Sequence, residues 1–360
     1  VAILGAGAEM GPTRSLLRWG AHVHAVDLPS STTWQRLISI ARGTAGRLRI
    51  PIALDRHGEP PFVLDGYVHP DDDAKVAQYA GADLLARTPE VRTWLVDTMS
   101  SVFADGDISY VKWDMNRNSS DAFSKVLPAA RQGEFHHRYI CGLYEVLAEL
   151  VRRFPQILFE SCASGGNRFD LGMLCYMPQI WTSDDTDAFA RIAIQGGTSY
   201  GYPQSVMGAH VSASPNMQTL RSSTIETRFN VAAFGLLGYE LDLTMLSAFD
   251  KKAIAEQIAF YKAHRSLLQF GRFWRVPNRL DPDKTIWAVV SEDGMSAIAG
   301  LFQGATRVGR GQDVLTVPGL DPLRSFRVAG RTQYLNVKAF GNLVNRVLPI
   351  KIRGDGIVHT

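Results

Sequence analysis

The chain has 360 residues, 46% of them hydrophobic and 20% charged, with a formal net charge of +3. That balance suits a globular chain with a sizeable core and room for two or three domains, and it excludes a disordered or fibrous one. With no run of Lys or Arg, no apolar stretch of membrane length and only Cys141, Cys162 and Cys175 outside any metal-ligand spacing, it argues against nucleic-acid and membrane partners and for free thiols in a reducing, cytoplasmic setting.

The start Val1-Ala2-Ile3-Leu4-Gly5 has neither the basic flank nor the cleavage site of a signal peptide, and the lack of an initiator Met predicts a chain that begins inside a longer product. Residues 1–87 then read as alternating β and α. Val1 to Leu4 is a short strand, Gly5 to Pro12 a glycine turn, Thr13 to Trp19 helical, and His22 to Asp27 a second strand ending in an acid. Glycines for a tight turn and an acid about twenty residues on are the start of a dinucleotide-binding βαβ unit, although the spacing G-x-G-x-x-x-G is one residue longer than the fingerprint. The glycines equally serve only to turn a strand into a helix. Arg56 to Pro61 reads as a loop and Asp71 to Leu85 as a helix that Asp71, Asp72 and Asp73 cap.

Thr88-Pro89-Glu90 opens a helix, with Thr88 as N-cap, Pro89 at the first helical position and Val91, Trp94, Leu95, Met99 and Val102 on one face. Strand and helix alternate from there. Ile108 to Trp113 is a strand, Phe135 to Phe154 an amphipathic helix with Ile140, Leu143, Leu147, Leu150 and Val151 inward, and Ile157 to Cys162 a strand. Gln179 to Thr182 follows as a strand, with two more near Val206 and from Phe234 to Leu241. Lys251 to Leu268 is one more helix. From Trp274 on, short strands such as Thr285 to Val290, separated by Asp-Pro, Asp-Gly and Pro-Gly turns, predict an antiparallel β domain.

Three of these runs break at their C-terminal ends into polar or glycine residues: Tyr110-Val111-Lys112-Trp113-Asp114-Met115-Asn116, Phe159-Glu160-Ser161-Cys162-Ala163-Ser164-Gly165-Gly166 and Trp181-Thr182-Ser183-Asp184-Asp185-Thr186-Asp187. Strand ends of that kind are where a (β/α)₈ barrel collects its catalytic groups. A retaining glycosidase needs two carboxyl groups about 5 Å apart, one a nucleophile and the other an acid and then a base. Asp114 and Asp184 are the candidate pair. Lys112, two residues before Asp114, points to the same side and favours its ionised form; in the cluster that holds Asp184, neighbouring carboxylates should raise the pKa of at least one acid, as a general acid requires. Plainer readings stand beside these. Asp184 to Asp187 also suits a helix cap, Cys162 a small hydrophobe, Trp113 and Trp181 core residues as well as sugar platforms, and His210 and Asn216 structural hydrogen bonding.

Taken in order, Lys-Trp-Asp-Met-Asn-Arg, Glu-Ser-Cys-Ala-Ser-Gly-Gly-Asn-Arg-Phe-Asp, Met-Pro-Gln-Ile-Trp-Thr-Ser-Asp-Asp-Thr-Asp and Gly-Ala-His-Val-Ser-Ala-Ser-Pro-Asn closely resemble the α-galactosidases of glycoside hydrolase family 36, from about residue 88 to the C-terminus. The resemblance implies a retaining enzyme acting on terminal α-galactosyl residues of oligosaccharides, with Asp114 as nucleophile and Asp184 as acid/base. It implies that Lys112, Asn116, Cys162, Gly165 and Trp181 line the galactose subsite, and that no metal or organic cofactor is needed. Residues 1–87 instead resemble the Rossmann-like N-terminal part of uncharacterised dehydrogenase-like bacterial proteins, where family members carry a β-sandwich and the first three barrel strands. The expected architecture is therefore α/β: a Rossmann-like βα segment at 1–87, which either completes the barrel or marks a chimera, barrel strands four to eight at 88–250, and a linking helix with a C-terminal β-sandwich at 251–360. Alternatives are an NAD(P)-binding oxidoreductase-like protein and a catalytically impaired glycosidase chimera lacking part of the sugar subsite. A homo-oligomer stays open.

Overall fold

The computed structural model describes residues 2–4, 22–26, 31–42, 47–49, 88–116, 124, 127–276, 283–305, 314–331, 350–353 and 358–359. The sequence-based glycine turn at 5–12, the helix at 13–19, Asp27, the loop at 56–61 and the helix opened by Asp71 lie outside these residues. The chain divides into two compact units, Val1–Pro178 and Gln179–Thr360.

In the first unit, β1 (Ala2–Leu4), β2 (His22–Val26) and β3 (Arg47–Arg49) form a parallel sheet in sequential order, with helix α1 (Ser31–Arg42) between the last two. Sequential parallel order arises both in a (β/α)₈ barrel and in the first half of a doubly wound sheet, so this topology does not separate those folds.

Helix α2 (Pro89–Ala104) begins where Thr88-Pro89 predicts, because a proline at the first position loses no helical hydrogen bond. Two details differ from expectation. The Thr88 side chain makes no capping bond, and the buried face is Val96, Met99 and Phe103, with Trp94 63% exposed. Apolar residues lie on both sides of this helix, and packing selects the side through Phe103, whose ring meets Phe154 at 5.5 Å and Phe159 at 5.9 Å.

Strand β4 (Tyr110–Asp114) precedes helix α3 (Phe135–Arg153), which buries Leu143, Val146, Leu147 and Leu150 along one stripe and leaves Ile140 and Val151 half-buried at its margin. Strand β5 (Leu158–Cys162) lies parallel to β4, with Lys112 opposite Glu160 and Asp114 opposite Cys162. Four of its five residues are buried, as expected for a parallel strand covered on both faces. A single turn of helix, α4 (Leu171–Leu174), follows, capped by Asp170 accepting from the Met173 N–H.

In the second unit, β6 (Gln179–Trp181), β7 (Met207–Ser212) and β8 (Leu236–Glu240) are parallel neighbours separated by helices α5 (Ala188–Thr198) and α6 (Ile225–Ala232). Parallel strands need such crossovers. Each helix starts on a side-chain cap: Asp187 accepts from Phe189 N–H, Thr224 from Thr227 N–H, and Ser247 from Asp250 N–H at the head of α7 (Ala248–Phe270). The antiparallel strands expected after Trp274 are present from Arg272: β9 (Arg272–Val276), β10 (Lys284–Val290) and β11 (Ala297–Gln303), with β10 central. Beyond them β12 (Val314–Leu315) pairs with β15 (Val358–His359), and β13 (Ser325–Val328) with β14 (Ile350–Arg353). The core of this unit gathers Phe229, Phe234, Leu268, Trp287, Val289 and Phe302, with Phe234 edge-on to Trp287 at 5.5 Å. No helix among the described residues is long and apolar enough to cross a membrane.

Candidate active site

In the first unit the chemistry gathers where β4 and β5 end. The chain stays in register for one residue past the strands, because Met115 N–H donates to the Cys162 carbonyl at 2.9 Å. It then turns through Ser164 (φ 51°) and Gly165 (φ 79°); a left-handed backbone is open to glycine without a Cβ penalty. This turn aims the Ser164 N–H at Asn116 Oδ1, 2.7 Å away. With its oxygen so occupied, Asn116 must present its amide nitrogen elsewhere, and Nδ2 donates to Asp114 Oδ2 at 2.9 Å. The other carboxylate oxygen, Asp114 Oδ1, is buried without a hydrogen bond. One oxygen of Asp114 is held and the other is left with its lone pairs uncommitted.

Lys112 and Asp114 share one side of β4, as the two-residue period requires, and Lys112 pairs with Glu160 across the strands, Nζ to Oε1 3.7 Å. Glu160 is 2% exposed and also accepts from the Tyr110 hydroxyl. Sequence reasoning missed Glu160; the signal was the cross-strand register, which places it opposite Lys112. Cys162 is buried beside Asp114. Burial pushes its thiol up to about 12, with the Asp114 charge acting in the same direction. Trp113 is buried as a core residue.

In the second unit, the loop between β6 and α5 holds three carboxylates with different tasks. Asp187 is 3% exposed and engaged: it caps α5, accepts from Thr219 Oγ1 at 2.9 Å and pairs with Arg221 at 2.8 Å. Asp185 Oδ1 accepts from the Asp187 N–H at 3.0 Å. Asp184 is different: its Oδ1 accepts from the indole Nε1–H of Trp181 at 3.0 Å, and its backbone carbonyl accepts from Gln218 Nε2 at 2.6 Å. The capping reading therefore holds for Asp187, while Asp184 is half-buried and held by an aromatic donor.

Arg191 of α5, 2% exposed, ties this loop down from inside, with Nη2 donating to Ser183 O at 2.9 Å, Nε to Asp185 O at 2.8 Å and Nη1 to Gly208 O at 3.1 Å. Burial draws its pKa down to about 10, against the pull of Asp185, Glu240 and Asp184. Trp181, read from the sequence as either core or platform, is 2% exposed. Asn216 is buried and stitches the loop after β7 to this one: Nδ2 donates to Thr186 Oγ1 at 3.0 Å, and Oδ1 accepts from Gln218 and Thr219 N–H. Arg191, Gln218 and Glu240 were not singled out in the sequence, since each acts across tertiary contacts that no local pattern encodes. Among the described residues no group of three or more His, Cys, Asp or Glu side chains is placed to hold a metal ion.

A family model described as Melibiase matches residues 65–271, more than half of the chain. The chain belongs to the Melibiase family. Within this family, 245 of its residues are 46% identical to Alpha-galactosidase AgaA of Geobacillus stearothermophilus, covering 68% of this chain and 34% of that protein. The crystal structure of the alpha-galactosidase from Lactobacillus brevis is similar over 99% of this chain and 52% of its own, with 32% identity and a TM-score of 0.68. A structure of an AgaA variant in complex with raffinose is similar over 89% of this chain and 50% of its own, with 33% identity and a TM-score of 0.65. The chain thus spans about a third of the length of the curated relative and about half of the solved chains.

These matches bear on the reading of the N-terminal segment without supporting it. The melibiase match starts at residue 65, within the segment assigned to a dehydrogenase-like protein, and the Lactobacillus brevis structure covers nearly the whole chain. Neither the dehydrogenase-like resemblance nor the oxidoreductase alternative gains support. The physical reason is that strand, glycine turn and helix in succession serve any parallel βα layout, so a glycine motif one residue off the fingerprint carries little weight.

Proposed function

We propose that this chain carries the catalytic segment of a retaining α-galactosidase that releases terminal α-galactosyl residues from oligosaccharides. The observation that carries the reading is the state of Asp114 in a chain of the Melibiase family: Oδ2 held by Asn116, Oδ1 buried and uncommitted. A nucleophile needs a fixed carboxylate with one free oxygen. In the proposed first step Asp114 Oδ1 attacks the anomeric carbon and forms a C–O bond. The glycosidic C–O bond breaks, and Asp184 gives its proton to the departing oxygen. In the second step Asp184, now a carboxylate, takes a proton from water; the water oxygen attacks the anomeric carbon and Asp114 leaves as a carboxylate. The pairing of Lys112 with buried Glu160 presents an ammonium group that suits a sugar hydroxyl, and Asn116, Cys162 and Gly165 supply the rest of that wall.

The same reading makes the parallel βα units parts of a (β/α)₈ barrel and the antiparallel strands parts of a C-terminal β-sandwich. The strand and helix alternation and the similarity to about half of the Lactobacillus brevis α-galactosidase chain support it. The raffinose complex of the AgaA variant supports an oligosaccharide as substrate.

Hydrolysis of 4-nitrophenyl α-galactoside, followed by proton NMR of the first-released sugar, tests the proposal. Release of α-galactose first, with hydrolysis lost in Asp114→Asn, is the expected result. Release of the β-anomer, or no hydrolysis, overturns it.

A further inference from the structure

Behind Asp184 the second unit carries a line of contacts that neither bond-making step uses. Trp181, the donor to Asp184, lies with its ring centroid 4.4 Å from the imidazole of His210, and His210 Nδ1 is 3.2 Å from Glu240 Oε2. The three residues stand on the adjacent strands β6, β7 and β8.

Two glycines make room for them. Trp181 sits opposite Gly208, where a Cβ would meet the indole Cε3 at 3.0 Å, and His210 sits opposite Gly238, where a Cβ would come within 2.4 Å of the imidazole Cδ2. The imidazole therefore lies over backbone that only glycine leaves clear. Arg191 adds a guanidinium 4.6 Å from the Trp181 ring centroid while holding the carbonyls on both sides of Asp184.

We infer that His210, anchored by Glu240, is a positioning residue for the acid/base: it fixes the Trp181 indole, and the indole N–H fixes the direction of Asp184 Oδ1. The assignment rests on the α-galactosidase reading above. An indole free to rotate would swing its N–H off the carboxylate, and a neighbouring ring at van der Waals distance blocks that rotation. Proton transfer depends on such geometry, and a misplacement of about 1 Å costs on the order of 100-fold.

A role in positioning a general acid has a signature that a merely structural role lacks. Substrates whose leaving phenol is weakly acidic need the proton, and those whose phenol is strongly acidic leave without it. kcat/KM reports the step in which the phenol departs. It is to be measured for the chain and for His210→Ala, Glu240→Gln and Asp184→Ala, on aryl α-galactosides from 2,4-dinitrophenyl to 4-methoxyphenyl. For His210→Ala a loss of about 10- to 100-fold on the 4-methoxyphenyl substrate and less than about threefold on the dinitrophenyl one is expected, in the direction of Asp184→Ala. Glu240→Gln keeps the side-chain shape, should follow more weakly, and stands in if His210→Ala does not fold.

Equal losses across the series in both variants, beside a steep Asp184→Ala profile, overturn the positioning role and leave the α-galactosidase reading intact. A wild-type chain that hydrolyses none of the substrates, or a flat Asp184→Ala profile, overturns the functional reading and this assignment with it.

Discussion

Trp181 Nε1 donates to Asp184 Oδ1 at 3.0 Å, so the last residue of β6 supports the carboxyl group three positions further along. Trp181→Phe keeps a ring in the buried position and removes the donor. A hydrogen bond to a charged group contributes about 1.5–3 kcal/mol, which corresponds to a loss of about 10- to 100-fold in kcat/KM on substrates with poor leaving groups. Steady-state kinetics beside thermal unfolding checks this, with activity falling at temperatures where the variant, lowered in melting temperature by the smaller buried ring, is still fully folded.

Asp184 and Asp187 are near in sequence and opposite in effect. Asp184→Ala should lower activity by about 10²- to 10⁴-fold while leaving the fold in place. Asp187→Ala removes the α5 cap and the acceptor for Thr219 and Arg221. It should cost about 1–3 kcal/mol of stability, read by chemical denaturation.

The strand ends of β4, β5 and β6 were legible because each apolar run breaks at a carboxylate, a glycine or both, and these strands begin and end within two residues of where those breaks put them, whereas β7 was placed only as a run near Val206. Asp114, Asn116, Cys162 and Gly165 came out as neighbours because register across β4 and β5 and the turn at Ser164 and Gly165 are local consequences of the sequence. What stayed hidden depends on distant packing. The inward face of α2 is chosen by Phe154 and Phe159 meeting Phe103, not by the spacing of Val91, Trp94 and Leu95. Arg191 reads as an ordinary helical cation until its guanidinium is found among the carbonyls of the Asp184 loop. Glycines 208 and 238 read as poor strand formers until the rings lying over them are seen.

Cys162 gives a pH dependence with a definite sign. Its folded-state pKa, about 12, lies above that of the unfolded thiol, so above about pH 9 the unfolded chain releases a proton that the folded chain keeps. Stability should be unaffected by this group below that point and fall as pH rises toward 10, at a limiting slope of about 1.4 kcal/mol per unit. Above about pH 10 Arg191, whose pKa burial lowers, acts in the opposite direction. Denaturant titrations at pH 8 and pH 10 on the chain and on Cys162→Ala check this: the fall should shrink in the variant.

Arg331 pairs with Glu226, which is 1% exposed on α6, and its guanidinium lies 4.7 Å from the Phe229 ring centroid. Arg331→Ala takes a countercharge from a buried carboxylate and should cost about 3 kcal/mol. Arg331→Lys should recover only part of it, since an ammonium lacks the planar fork. Urea unfolding midpoints measure both.

The assignment of Asp114 as the attacking group is tested most directly by trapping its ester with the sugar. The chain is to be incubated with a 2-fluoro galactosyl substrate bearing a good leaving group, digested with pepsin and sequenced by tandem mass spectrometry. The account predicts one added fluorogalactosyl group on the peptide containing Tyr110 to Asn116, located at Asp114. An adduct on another carboxylate would contradict it.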